Sequence, residues 1–265
     1  MNVYKHELKV YTKNTIIWIF SMSSIAALMM SFYPIIKNDM DNFMQLMDNF
    51  PPAMKSIIGL TLDNFSSALG FYCFAFTYTM LFGAIQAMNL GVGILSKEER
   101  DKTADFLMTK PISRIKILTS KVLSAITIFV VTNIIYTIVT AILLQIMSEG
   151  SYDFSKFVLI NASLFFSQII LFSIGLIISI VVKKVKAVLP ISLGLVFGFF
   201  AISAFAVTAS DDKLRYLSPF QYFETNYILL QGKYEANYVI FGFVIVLICT
   251  VLSYILYKRK NIQAV

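Results

Sequence analysis

The side chains able to do chemistry are few, and they point to recognition. His6 is the sole histidine, and Cys73 and Cys249 each lie inside a long apolar run. Neither a disulfide framework nor a Cys/His metal site fits that distribution. The chain has no Gly-x-x-x-x-Gly-Lys-Ser/Thr loop with which to cradle the phosphates of ATP. The stretch dense in charge is Ser96–Lys121, SKEERDKTADFLMTKPISRIKILTSK. Ser96 with Glu99 three residues on reads as a capping box, and Pro111 disfavours helix at Lys110. The pair predicts a short helix between them. Thr103, Phe106, Leu107 and Lys110 then share one side, and Glu98, Arg100, Asp101, Lys102 and Asp105 occupy much of the rest. Ser113 is placed to cap a following helix that runs through Arg114, Lys116 and Lys121. One reading is a solvated turn. The other is a docking element, because Phe106, Leu107 and Met108 are apolar groups on the water side in want of a partner surface.

The elements that must hold this stretch follow from hydropathy. Of the 265 residues 58% are hydrophobic and 14% charged, and the mean hydropathy is +0.75. A soluble surface cannot be covered from that composition. Six runs are each long enough to cross a hydrocarbon core of about 30 Å as a helix: Thr15–Ile36, Ser66–Leu95, Val122–Met147, Phe157–Val182, Ala187–Thr208 and Tyr238–Tyr257. None contains Lys, Arg, Asp, Glu or His. Backbone groups in lipid must be satisfied internally, so the runs should be helices, and they lack the alternation of a barrel. The expected fold is a single all-α polytopic membrane domain over residues 1–265. Lys5, Lys9 and Lys13 before the first run resemble a signal sequence, but the apolar stretch is too long for one and is expected to be retained.

Orientation follows from the basic residues. Segments 1–14, 96–121, 183–186 and 258–265 hold 16 of the 22 Lys and Arg, whereas ten of the 15 Asp and Glu lie on the other side. Both termini and the 96–121 loop are therefore expected in the cytoplasm. The bias accounts for the net charge of +7 without nucleic acid as a partner. The lack of ionisable groups in the runs argues against ion-coupled carriers, proton pumps and most intramembrane enzymes.

Other features carry two readings each. Tyr4, Leu8 and Tyr11 make Val3–Lys13 amphipathic, which suits an elbow lying in the inner interface. Gly83, Ala87 and Gly91 repeat every four residues, as do Gly194 and Gly198; such stripes let helices approach within the chain or across a dimer. Gln86, Asn89, Asn133, Asn161 and Gln168 either bond neighbouring helices or line a substrate path. On the outer side, Asp39–Leu62 should hold a surface helix broken at Pro51-Pro52, and Pro219–Leu230 suits an aromatic interfacial or re-entrant helix. Lys183–Lys186 reads as a positive anchor.

The stretch Glu98–Lys121 resembles the cytoplasmic loop of ABC-2-type transporter permeases. Those loops carry an acidic pair, a Thr, Leu-rich residues, then Pro-Ile/Val-Ser-Arg entering a helix. The matching residues are Glu98, Glu99, Thr103, Phe106, Leu107, Pro111, Ile112, Ser113 and Arg114, with Ser120 and Lys121 beyond. Lys102 replaces the usual Gly, and Phe106 a frequent Leu. The six-span outline agrees as well. The resemblance implies the permease subunit of an ATP-binding cassette exporter. Its coupling helix would be formed by Glu98, Glu99, Thr103, Phe106, Leu107, Pro111, Ser113 and Arg114. That helix would dock on a separate cytosolic ATP-binding subunit, present as a dimer, which holds the ATP and Mg. A second permease copy or a paralogue would complete the pore in a bacterial cytoplasmic membrane. The neutral spans suit an apolar or amphipathic substrate. A membrane scaffold or sensor recruiting a cytosolic partner through the same loop is the alternative.

Overall fold

The computed structural model describes residues 3–50, 67–100, 113–148, 152–182, 185–209 and 211–259. Among them every regular element is helical: α1 (Val3–Ser31), α2 (Tyr33–Asn38), α3 (Met40–Asp48), α4 (Ala68–Arg100), α5 (Arg114–Met147), α6 (Phe154–Val181), α7 (Val188–Ala209), α8 (Asp212–Arg215), a 3-10 turn at Pro219–Gln221, α9 (Thr225–Gln231) and α10 (Ala236–Arg259). Six helices (α1, α4, α5, α6, α7 and α10) are long and apolar enough to cross a membrane. The chain is an all-α polytopic membrane protein.

Local chemistry starts and stops these helices. Ser113 caps α5, its hydroxyl accepting from the Lys116 amide at 3.3 Å. Asp153 caps α6 by accepting from the amides of Ser155 and Lys156. Gly232 ends α9 in the left-handed region at φ 64°, where a Cβ is costly.

The centre of the bundle is the α4–α6 pair. Gly91 and Gly175 let the two backbones meet: a Cβ on Gly91 would stand 2.6 Å from the Phe172 carbonyl oxygen. Gly83 is equally enclosed, against Leu164. Gly194 and Gly198 on α7 differ, with no neighbouring atom within 4 Å of an added Cβ among the described residues. The small-residue stripe of α4 thus serves packing inside the chain, and that of α7 faces outward. Helix α1 packs beside α4 and α5, and its Trp18 lies edge-on to Phe82 of α4 at 6.4 Å. Helices α7 and α10 expose long apolar faces, including Phe197, Phe205, Phe243 and Leu247, as lipid-facing helices do.

Two boundaries differ from the sequence reading. Ser96 does not begin a helix: α4 continues unbroken to Arg100. The Ser96 side chain is buried and donates back to the Val92 carbonyl at 2.6 Å. A hydroxyl satisfied within its own helix leaves no cap to break the ladder. Val3–Lys13 is likewise no separate elbow, because α1 runs straight through it. The face expected to meet headgroups meets protein. The Tyr4 hydroxyl lies 3.0 Å from the Thr127 Oγ1, and Leu8 and Tyr11 pack on the core formed by α4, α5 and α6. On the outer side, α3 matches the expected helix before Pro51, with Phe43 on the core. The aromatic segment divides into the 3-10 turn and α9.

Candidate functional site: a neutral polar seam and a charged lock

Two polar assemblies cross the α4–α5–α6 interior. In the first, Gln168 Nε2 donates to Gln86 Oε1 at 3.0 Å, and Gln86 Nε2 donates to Thr132 Oγ1 at 3.3 Å. Asn133 Nδ2 donates to Gln168 Oε1 at 2.6 Å and to the Phe129 carbonyl at 2.8 Å. In the second, Tyr72 donates to Asn161 Oδ1 at 2.9 Å, and Tyr136 donates to Thr79 Oγ1 at 3.1 Å. Asn161 Nδ2 in turn donates to the Phe157 carbonyl at 2.9 Å. Tyr72, Thr79 and Gln86 stand seven residues apart on α4, as Asn161 and Gln168 do on α6, so each set returns to one face. Buried amides bonded across helices fix register, and each interhelical bond contributes on the order of 0.6 kcal/mol in a membrane. Of the five amides singled out in the sequence, four belong to these assemblies. Asn89 is half-buried and takes no part.

The third assembly lies at the other end of the same helices, and it was missed as a unit. Lys121, in the first turns of α5, is fully buried. Its ammonium donates to Glu7 Oε1 of α1 at 2.8 Å, to the Ile94 carbonyl of α4 at 2.7 Å, and to Glu98 Oε1 of α4. An ammonium has three N–H donors, and all three are spent. The sequence reading placed Lys121 on the helix after Ser113 and among the basic residues of the inner segments, with no partner assigned. Its partners stand 23 and 114 residues away, and no local pattern joins them.

Around this lock the ends of four long helices converge. Lys97 lies over the Tyr11 ring at 5.6 Å. Thr119 and Tyr254 place their hydroxyls 2.9 Å apart, and Arg114 Nη1 reaches the Lys258 carbonyl at 3.5 Å. Of the expected coupling residues, Glu98 is in the lock, Ser113 is the α5 cap and Arg114 meets α10. Glu99 lies in the last turn of α4, with its side chain outside the described set. Thr103, Phe106, Leu107 and Pro111 lie outside the described residues.

A second ionic group sits at the opposite end. Arg215 reaches Glu235, Glu224 at 3.5 Å and Asp212 at 3.8 Å, and its guanidinium lies 4.3 Å from the Tyr238 ring centre. Burial raises the Glu224 carboxyl above its ordinary value, with Arg215 pulling against it. Burial also pushes the nearby Tyr234 phenol up to about 12, and that phenol donates to the Leu159 carbonyl at 2.7 Å.

Six membrane-length helices with a neutral bonded interior define a polytopic helical membrane domain. A family comparison matches residues 1–262 to the ABC-2 family transporter protein, and the chain belongs to that family. It is thereby a multi-pass permease subunit, of a kind typically non-catalytic in itself. Membership implies partnership with an ATP-binding cassette subunit. No curated protein matches the chain significantly.

Proposed function

We propose that this permease is an exporter subunit for an apolar or amphipathic substrate, driven by ATP hydrolysis in a separate cytosolic subunit. Segment 96–121 is the docking element, and Phe106 and Leu107 are the apolar knob that enters the partner, with Glu98, Glu99 and Arg114 fixing register around it. The reading rests chiefly on one observation: α4 and α5 are locked together at the base of this segment, so a push on it is delivered to both helices. The excess of basic residues at that end supports a cytoplasmic placement in a bacterial plasma membrane. The neutral interior supports an uncharged cargo surface. Asn89, half-buried and outside the bonded assemblies, is the amide left to meet it. The open Gly194–Gly198 face of α7 supports a second permease copy or a paralogue, and paired permeases call for paired ATP-binding subunits.

Phe106→Ala with Leu107→Ala is expected to weaken docking by about 2 kcal/mol or more, as loss of buried interface anchors does, with insertion unchanged. Co-purification of the ATP-binding subunit and ATPase rates on the same samples measure this. Unchanged binding and unchanged ATPase would make the segment a solvated turn.

A further inference from the structure

We infer that Lys121 and Glu7 form a transmission link that makes α1 move together with the ends of α4 and α5 that flank segment 101–112, a positioning role that rests on the docking reading above. Glu98 stands three residues before this segment in the chain, and Lys121 nine residues after it. Their ion pair therefore fastens the two arms that carry the segment. With these two arms alone, the link would end at α4 and α5. Glu7 extends it to a third helix. It accepts from the same ammonium at 2.8 Å from the first two turns of α1, and its own side chain is nearly fully buried.

The arrangement is not what a purely stabilising pair would be. One ammonium neutralises one carboxylate, and the Ile94 carbonyl fills its remaining donor. The second carboxylate is surplus to that pairing, and Glu7 Oε2 has no hydrogen-bond partner among the described residues. An uncompensated buried carboxylate is costly. Leucine at position 7 would remove that cost and leave Lys121 paired to Glu98. The acid at position 7 therefore adds connection at the expense of stability. The other α1 contacts described in this region are a hydroxyl pair, Tyr4 with Thr127, the Lys97 ammonium over the Tyr11 ring at 5.6 Å, and the apolar packing of Leu8 and Tyr11. None of them resists sliding as a short charged bond does. Among the described residues, Glu98 of α4 is the other carboxylate bonded to Lys121.

Glu7→Leu decides between a link and a structural pair. The complex of permease and ATP-binding subunit is reconstituted in liposomes. Thermal unfolding, subunit co-purification, basal ATPase and permease-coupled ATPase are then compared with wild type. The expected result is unchanged or higher thermal stability, normal co-purification, normal basal ATPase and about a tenfold loss of coupled ATPase, within the usual range of allosteric couplings. Glu7→Gln, which keeps an acceptor oxygen for Lys121, is expected to recover most of the coupling. Wild-type coupling in Glu7→Leu would overturn the proposal, as would a defect that Glu7→Gln shares in full. A misfolded Glu7→Leu protein would also overturn it, because the acid would then be needed for folding. If the wild-type permease itself bound no ATP-binding subunit, the docking reading would be what had failed.

Discussion

Among the described residues two cations each gather several carboxylates, one at each end of the bundle, and they are built differently. At the basic end the Lys121 side chain is 1% exposed, with Glu7 at 4% and Glu98 at 17%. At the other end Arg215 is 17% exposed, but Glu224 is at 40% and Asp212 at 88%. Lys121 joins three long helices that are distant in sequence. Arg215 gathers residues 212 to 238, a single outer cap between α7 and α10. The comparison teaches that similar charge chemistry gives a global constraint when it is buried between spans and a local one when it closes a loop.

The sharpest way to break the comparison is Lys121→Met. Removing one partner of a buried ionic group typically costs about 3–5 kcal/mol, and here it strands Glu7 and Glu98 together. The expected outcome is a large drop in the unfolding midpoint of detergent-solubilised protein. Wild-type unfolding would show that water reaches the lock and that it resembles the outer cap after all.

Packing beside the lock supplies the next test. Gly91→Ala forces a methyl against the Phe172 carbonyl, and overpacking of that kind typically costs about 1–3 kcal/mol. Gly194→Ala, with open space around it, should stay within about 0.5 kcal/mol. Equal effects in the same unfolding assay would mean that α4 and α6 are not the rigid centre against which both ionic groups are set.

The outer cap should give the smallest effect, and a pH-dependent one. Burial raises the Glu224 carboxyl above its ordinary 4.5, so the folded cap holds that proton more tightly than an unfolded one. Its contribution is full below pH 4.5 and is lost as pH rises through the higher folded value. Glu224→Gln should flatten this dependence and change stability near neutral pH by less than about 1 kcal/mol, as expected for a screened, partly exposed carboxylate. Proteolysis of segment 211–235 from pH 4.5 to 7.5 would read it. An unaltered slope in the variant would show that Glu224 is not the source of the dependence.

How much of this was legible in the sequence depends on range. Six spans, the Ser113 cap and the outer helix before Pro51 could be read because apolar length, caps and breakers act over a few residues. The end of α4 was misread at Ser96 because a capping signature is indifferent to whether its serine is exposed, and here it is buried against its own helix. The fate of Val3–Lys13 turned on Glu7 finding Lys121 across 114 positions, which no periodicity encodes. All five span amides were singled out by type alone and four of them bond across helices, but Tyr72, Thr79 and Tyr136 were passed over. Their polar atoms count for little in hydropathy, although the sevenfold spacing of Tyr72, Thr79 and Gln86 was visible. The two glycine stripes have the same spacing and opposite surroundings, since spacing specifies a flat face and leaves its occupant unspecified.

The seat of Trp18 has a practical consequence. It is the only tryptophan in the chain, it lies on α1, and its indole meets Phe82 of α4 edge-on. Any displacement of α1 along α4 changes the environment of that indole. The native protein, with no dye attached and no residue replaced, therefore carries an intrinsic fluorophore at the junction of the two helices. In the assembled transporter its signal is separable from the partner's once the partner's tryptophans are replaced. Emission followed through one round of ATP binding would time the motion of α1 directly.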